Sequence, residues 1–114
     1  MPELCRIDIG RGAALYDEVG EELSRLAAEL RSRYHASRVA VFGSFVRHDL
    51  HQGSDIDLLV VGEFPMRFHK RPALIRDLSK LPVEPLCYTR EEFDDLLARG
   101  NPFLLEILRE CQDL

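Results

Sequence analysis

One stretch of this chain decides its fold: VFGSFVRHDLHQGSDIDLLVV, which runs from Val41 to Val61. It contains two apolar segments typical of buried strands, joined by a segment rich in glycine, serine and charge. Because side chains alternate along a strand, Asp55 and Asp57 point to the same face, roughly 7 Å apart, while the aliphatic residues next to them point to the other. Two carboxylates therefore converge where an otherwise buried strand begins.

This pair of carboxylates favours a cation. Close carboxylates at a half-buried position repel each other, and one of them would otherwise retain its proton. A divalent ion removes that cost, and oxygen ligands suit a hard ion such as Mg²⁺, which also binds waters and phosphate oxygens. The same spacing is compatible with a two-metal site for phosphoryl displacement. The simpler alternative is a solvated strand start, with Gly53 and Ser54 making the turn.

The segment upstream of the aspartates favours an anion. Gly43 and Ser44 follow a strand and are predicted to open a short helix, whose free N–H groups and positive dipole end attract anions. Gly43 lets a phosphate approach the backbone, the Ser44 hydroxyl adds a donor, and Arg47 follows one turn later. The alternative for Arg47 is a pair with Asp49 or with a helix end. A phosphate site beside a metal site predicts a nucleotide site.

The rest of the chain predicts a small α/β structure. A mixed sheet is expected to be backed by helices on one face, with Asp55 and Asp57 in a groove on the other. Prolines favour a short or edge position for the third strand, and Pro72 either kinks its helix or begins it. The predicted elements are a helix from Ala13 to about Tyr34, strands at RVAVFG and DIDLLVVG, a helix over about 66–80, a strand at PVEPLCYT, and helices capped by Thr89 with Glu92 and by Asn101 with Pro102.

Length and charge limit the class of protein. We expect residues 1–114 to form a single domain, with 46% hydrophobic residues to fill one core. Neither a membrane-spanning segment nor a signal pattern is present, so we expect a soluble protein in the cytoplasm. A formal net charge of −5 argues against broad adhesion to nucleic acid, but it does not exclude a nucleotide ligand.

Cysteine and histidine do not predict a metal site here. Cys5, Cys87 and Cys111 include no C-x-x-C pair, which predicts reduced packing residues rather than disulfides or a zinc ribbon. His48 and His51 resemble a metal pair, but their loop position favours solvent exposure. The oxygen-rich aspartate region remains the candidate site.

The pattern G-S-x-x-R, followed by S-D-I-D and aliphatic residues, resembles the signature of the DNA polymerase beta-like nucleotidyltransferase superfamily. The small size resembles its minimal nucleotidyltransferase branch. The resemblance implies a polymerase beta-like palm fold in which the glycine–serine segment binds the triphosphate, the two aspartates bind Mg²⁺, and a carboxylate on a later strand completes the site. Glu84, in LPVEPLCYT, takes that last position as metal ligand or base, where the family usually has aspartate. An exposed edge-strand position is its alternative. The matching residues are Gly43, Ser44, Arg47, Ser54, Asp55, Ile56 and Asp57.

The resemblance also implies an activity and a partner. The activity is Mg²⁺-dependent transfer of a nucleoside monophosphate, AMP from ATP first, to an acceptor hydroxyl with release of pyrophosphate. Minimal nucleotidyltransferases commonly act as the antitoxin of a small helical HEPN-type toxin, so we expect the acceptor on a partner protein. The competing hypothesis is a non-catalytic module that binds a partner, which Glu84 and Pro85 keep open. Nucleic acid as acceptor is disfavoured, and FLLEIL is either core or a face for a partner or second copy.

Overall fold

A four-stranded mixed sheet is the middle layer of the computed structural model, which describes residues 13–50 and 53–114. β2 is antiparallel to β1 and parallel to β3, and β4 pairs antiparallel with the other edge of β1. The mixed sheet and the edge position of the proline-containing third strand confirm the prediction, whereas the short β4 is not predicted. In the order β3-β2-β1-β4, the strands are β1 (Arg38–Phe42), β2 (Ile56–Gly62), β3 (Val83–Thr89) and β4 (Gln112–Asp113).

Helices cover both faces of the sheet, so the prediction of helices on one face only is wrong. The reason lies in β2, where all four residues from Leu58 to Val61 are buried. A strand that is apolar on both sides must be covered on both sides. Asp57 therefore lies at the end of a covered face. α1 (Ala13–Tyr34) and α2 (Arg71–Arg76) pack on one face, and α3 (Arg90–Ala98) and α4 (Pro102–Glu110) pack on the other.

α1 confirms the helix predicted from its apolar periodicity. Its inward stripe is at most 2% exposed and packs against the face of β2 that carries Ile56, Leu58 and Val60. Within residues 13–50 and 53–114, no helix has the length and apolar character needed to cross a membrane. The stripe consists of Leu15, Val19, Leu23, Leu26 and Leu30.

The later helices begin where their capping residues predict. Pro72 is the second residue of α2, so it begins the helix, which is much shorter than the predicted 66–80 and follows a 3₁₀ turn at Phe68–Lys70. Thr89 and Glu92 form the predicted capping box: Glu92 N–H donates to Thr89 Oγ1 at 3.2 Å and Thr89 N–H to Glu92 Oε1 at 2.9 Å. The Asn101 side chain accepts a backbone N–H of α4 at 3.0 Å.

The cysteines have the packing role predicted for them, as far as the structure describes them. Cys87 is 1% exposed in the core, and burial raises the pKa of its thiol to about 12. Cys111 is half-buried after α4, and both thiols are free. Cys5 lies outside the described residues.

Candidate functional site

Gly43 and Asp57 are in contact at one end of the sheet. Phe42 of β1 lies opposite Asp57 of β2 in the register, so the residue after Phe42 meets the Asp57 side chain. Gly43 has a φ of +75°, and a Cβ added to it would lie 2.4 Å from Asp57 Oδ2. Both features require glycine at this position. The turn predicted to bind phosphate and the carboxylate predicted to bind metal are therefore parts of one site.

No helix follows Gly43, so that part of the prediction is wrong. Residues 43–48 form consecutive turns, in which Arg47 N–H donates to Gly43 O at 3.2 Å and Asp49 N–H to Ser44 O at 2.8 Å. His48 has a φ of +55°, a left-handed conformation that ends helical propagation. The groups available to an anion are therefore individual donors rather than a helix dipole. These donors are the Gly43 N–H, the half-buried Ser44 hydroxyl and the Arg47 guanidinium.

Tyr16 of α1 holds this turn from the opposite face of the sheet. The Tyr16 ring stacks on the His48 ring, with 4.5 Å between the ring centres, and its centre lies 5.5 Å from that of the Phe45 ring. The Tyr16 hydroxyl accepts the Leu50 N–H at 3.2 Å. His48 is exposed, as predicted, and its ring contact gives it a structural role; His51 lies outside the described residues. The loop that carries the anion donors is therefore fixed to the main core.

The three predicted metal carboxylates lie on, or directly before, the two adjacent strands β2 and β3. Asp57 and Glu84 are neighbours in the parallel register of β2 and β3, and Asp55 is exposed just before β2. Glu84 is also exposed on its edge strand, where its Oε1 accepts from Arg76 Nη2 at 2.8 Å. The exposed edge-strand position, one of the two alternatives for Glu84, is the one observed, and its role as metal ligand or base stays a prediction. Ser54, the remaining motif serine, is 8% exposed.

Carboxylate oxygens are suitable ligands for a hard divalent ion, but these side chains do not surround a position for one. In the part of the chain that the structure describes, no three His, Cys, Asp or Glu side chains are grouped closely enough to hold a metal. Mg²⁺ typically takes one or two protein carboxylates and completes its shell with water and phosphate oxygens. The site therefore fits an ion that arrives together with a phosphate substrate better than a permanently bound one.

The electrostatics of Asp57 agree with the repulsion predicted from the sequence. Burial raises the pKa of Asp57 above its usual range, and the nearby carboxylates, Asp55 first, raise it further. Arg47 acts in the opposite direction without cancelling them. A cation near Asp57 would remove this cost.

Glu110, the last residue of α4, is a site residue that the sequence analysis missed. Arg47 Nη1 donates to Glu110 Oε2 at 3.0 Å and to Oε1 at 3.2 Å, and the Gly43 N–H donates to Oε1 at 3.1 Å. Arg47 thus pairs with a helix end, one of its predicted alternatives. The sequence did contain an indication of this role: Glu110 is an acidic residue in the last turn of a helix, where the helix dipole disfavours negative charge. A cation from another part of the chain is expected to compensate such a residue.

A second charged cluster lies toward the other end of β3 and is built around Arg71. This side chain is 4% exposed and donates to Glu92 Oε1 at 2.5 Å, Cys87 O at 3.1 Å and Met66 O at 3.0 Å. Its guanidinium also lies 5.4 Å from the centre of the Phe64 ring. The hydrogen bond from Arg71 lowers the pKa of Glu92. This ion pair joins α2 to α3.

A cavity of about 470 Å³ lies at the opposite end of β1 and β2 from Asp57. Its walls include Val39 and Val61 together with Arg31, Arg38 and Arg90. Each of these arginines already donates to an oxygen of another residue in the structure. The cavity contains none of the motif residues, so its size does not make it the functional site.

Comparison with known proteins identifies the family of this chain. Residues 23–111 match the family model of the nucleotidyltransferase domain. The chain belongs to this family. It is 34% identical over 64 residues to MJ0126 of Methanocaldococcus jannaschii, whose name gives an inferred protein adenylyltransferase activity. That match covers 56% of this chain and spans 65% of the relative's length.

A solved structure shows the same fold for this nucleotidyltransferase domain. This chain superposes on the crystal structure of an inferred nucleotidyltransferase from Sulfolobus solfataricus with a TM-score of 0.52 and 23% sequence identity. The match covers 77% of this chain and 85% of the Sulfolobus chain. The predicted resemblance to minimal nucleotidyltransferases and the predicted fold class are thus confirmed. Members of such families generally use an NTP and a divalent metal ion.

Proposed function

We propose that this protein binds an NTP, ATP first, and transfers its nucleoside monophosphate to an acceptor hydroxyl. One observation carries the proposal: Asp57 Oδ2 would lie only 2.4 Å from a Cβ at position 43, so the phosphate turn and the acidic strand form one site. The family supports nucleotidyl transfer in general. The name of the relative from Methanocaldococcus jannaschii supports AMP as the group and protein as the acceptor.

The motif residues have separate roles in this proposal. Gly43 N–H, the Ser44 hydroxyl and Arg47 would bind the β- and γ-phosphates, because Gly43 N–H and Arg47 already donate to a carboxylate and Ser44 lies in the same turn. Asp55 and Asp57 would hold the divalent ion, expected to be Mg²⁺, next to the α-phosphate. When bound, this ion neutralises phosphate charge as it develops on the leaving group. Buried Ser54 would fix the start of β2 beside the nucleotide.

The transfer step itself exchanges one bond at phosphorus for another. The acceptor oxygen would form a bond to the α-phosphorus, while the bond from that atom to the bridging oxygen breaks and pyrophosphate leaves with the electron pair. The acceptor proton would pass to Glu84 or to water. Glu84 adjoins Asp57 in the parallel register, which supports this position for the acceptor. Such transfer depends mostly on positioning and charge stabilisation.

The acceptor is proposed to be a small helical HEPN-type protein, for which this chain would act as antitoxin in the cytoplasm. The outer side of α4 supports a partner surface, because Phe103 is 59% exposed and Leu105 40% exposed. The inner side of the same helix is core, with Leu104 and Ile107 buried. A second copy of this chain is the other occupant that such a surface would accept.

A non-catalytic module that binds a partner is the second candidate, and two observations favour it. Glu84 already pairs with Arg76 at 2.8 Å, which opposes its use as a metal ligand or base. Within the described residues, the carboxylates do not form a metal cluster of three. This module would keep the partner surface of α4 and would lose nothing when Asp55 or Asp57 is changed.

Calorimetric titration with ATP, with and without Mg²⁺, tests the proposal on the parent, on Asp57→Asn and on Asp17→Asn as a control. Asp17 is an exposed aspartate of α1. We expect Mg²⁺ to strengthen ATP binding in the parent and in Asp17→Asn, and to have no effect in Asp57→Asn. Transfer of labelled AMP to a co-purified partner should fall at least about 100-fold in Asp57→Asn, the scale of losing one group that stabilises the transition state.

Two outcomes decide between the candidates. Equal transfer by the parent and by Asp57→Asn would contradict the proposed enzyme. A tight complex with the partner, insensitive to both aspartates and to ATP, would establish the non-catalytic module in its place.

A further inference from the structure

The carboxylate of Glu110 lies on the same donors that the proposed function assigns to the phosphates. The Gly43 N–H donates to Glu110 Oε1 at 3.1 Å, and Arg47 Nη1 donates to both carboxylate oxygens at 3.0 and 3.2 Å. A backbone N–H and a guanidinium directed at one anion are the donor types that bind carboxylate and phosphate alike. Glu110 is thus an internal anion in a phosphate-type site.

Two anions cannot use these donors at the same time. Each N–H directed at Glu110 is unavailable to a second acceptor, and two negative groups at that distance repel each other. Glu110 already contributes to the raised pKa of Asp57, which shows that its charge is felt in the site. A phosphate that binds the Gly43 N–H and Arg47 Nη1 must therefore replace the Glu110 carboxylate.

The backbone around Glu110 is fixed, so the replacement has to be a movement of its side chain. β4, which begins two residues later, pairs with Ala40 and Val41 of β1. Leu114 N–H donates to Val39 O at 2.9 Å, which closes the same pairing. The Glu110 side chain is 31% exposed, so rotation into water is open to it.

We propose that Glu110 is a built-in competitor, which occupies the phosphate donors of the Gly43–Arg47 turn until the phosphates of a nucleotide displace its side chain. The proposal rests on the proposed function, because it takes an NTP as the ligand of this site. Its consequence is a nucleotide affinity that is held below what the turn alone would give, together with a turn that keeps its shape when no nucleotide is bound.

Calorimetric titration of Glu110→Gln with ATP and Mg²⁺ tests the proposal. Glutamine keeps the size of the side chain and removes its charge, so we expect the Kd to fall about three- to tenfold, in line with the small net value of a partly exposed ion pair. Glu106→Gln is the matched control, because Glu106 is an exposed α4 residue paired with Arg109 rather than with the turn. Its Kd should equal that of the parent.

A double-mutant cycle separates displacement from a general charge effect. In an Arg47→Gln background, the gain from Glu110→Gln should shrink to about twofold or less, because the charged one of the two shared donors is gone. An undiminished gain there would mean that Glu110 acts only through long-range charge, and the proposal would be overturned. The Gly43 amide resonance of the parent, independent of any variant's folding, should shift on ATP addition; an unchanged resonance under saturating ATP would also overturn it.

The remaining outcomes distinguish this inference from the proposed function. If the parent binds ATP and Glu110→Gln binds equally or more weakly, the competitor proposal fails and the proposed function stands. If only Glu110→Gln binds ATP, the competitor is stronger than expected and the proposal is supported. If neither protein binds ATP, the proposed function fails and this inference fails with it.

Discussion

Two clusters of partly buried charge in this protein are arranged in opposite ways. Around Arg71, the guanidinium is surrounded by acceptors, and its hydrogen bond lowers the pKa of Glu92. Around Asp57, burial and three neighbouring carboxylates raise the pKa of the carboxyl group. The Arg71 cluster is electrostatically complete within the protein. The Asp57 cluster is incomplete and has an excess of negative charge.

We interpret the difference as one between a charge that supports the fold and one that is available to a ligand. Glu92 accepts from both Arg71 and the Thr89 N–H, so one carboxylate caps α3 and anchors α2. Asp57 instead packs against Gly43, at the point where two motif segments meet, and within residues 13–50 and 53–114 its carboxylate accepts no side-chain hydrogen bond. Ionisable groups with perturbed pKa values and no internal compensation are typical of functional sites. The predictions below test this contrast.

The largest expected effect is a loss of stability when the Arg71 cluster is disrupted. Arg71→Met keeps an apolar stem beside Phe64 but removes the guanidinium and with it the hydrogen bonds to Glu92 and to the Cys87 carbonyl. We expect the free energy of unfolding in urea to fall by about 2–4 kcal/mol, somewhat less than for a fully buried pair. The expected loss of free energy is smaller because the Glu92 side chain is 42% exposed.

An exposed ion pair provides the control for that experiment. Arg90 pairs with Asp94 at 3.3 Å with both side chains largely exposed, so Arg90→Gln should change the free energy of unfolding by no more than about 0.5 kcal/mol. If Arg71→Met costs under about 1 kcal/mol, the Arg71 cluster does not stabilise the fold and the contrast with Asp57 is lost.

The next effect in size is at the contact that joins the two halves of the site. Gly43→Ala must place a Cβ on the Asp57 carboxylate and hold a left-handed backbone, since Gly43 has a φ of +75°. Gly100→Ala faces the same backbone strain at a φ of +67°, with nothing within 4 Å of the added Cβ. Strain alone costs about 1–2 kcal/mol. Gly43→Ala should cost about 1 kcal/mol more than Gly100→Ala in urea unfolding.

ATP binding should distinguish Gly43→Ala from Gly100→Ala more clearly than stability does. Gly43→Ala should abolish Mg²⁺-dependent ATP binding, because it displaces Asp57 and the donor N–H together. Gly100→Ala, beyond the end of α3, should bind ATP like the parent. Equal losses of stability in the two variants, with ATP binding kept in both, would show that the Gly43–Asp57 contact has no role in the site.

Local sequence signals predicted most of this architecture, because they depend on residues close together in the chain. The α1 stripe, the Thr89–Glu92 capping box, the Asn101 cap and the two central strands each follow from spacing within a few residues. The convergence of Gly43 and Asp57 also followed, since the two residues flank adjacent strands. These features need no knowledge of distant contacts.

The parts that were not predicted depend on distant contacts. Glu110 meets Gly43 across 67 positions of sequence, and Arg71 meets Glu92 across 21. β4 is too short to give any periodicity. The helix expected after Gly43 does not form, because His48 has a left-handed conformation. The His48 ring stacks on Tyr16 of α1, which is a tertiary contact. Long-range contacts decided the outcome for Glu110, Arg71 and the turn after Gly43.

The smallest expected effect is a gain in stability from removing the Asp57 charge. The pKa of Asp57 is raised in the folded protein, so as pH rises the unfolded chain loses this proton first. Folding stability therefore decreases from the ordinary Asp pKa of about 3.8 up through the folded pKa, and the penalty is constant above it. Asp57→Asn removes that penalty. Because the side chain is partly solvent-screened, we expect a gain of a few tenths of a kcal/mol at pH 7.

The pH dependence identifies the cause of that gain. Urea unfolding of the parent and Asp57→Asn should coincide near pH 3, where the aspartate is protonated in both states, and separate as pH rises. Added salt should reduce the separation, because repulsion from the exposed Asp55 and Glu84 is screened. Asp17→Asn, on the exposed side of α1, should show no such gain. If Asp57→Asn is less stable than the parent at pH 7, Asp57 is internally compensated after all, and the two charge clusters do not differ in kind.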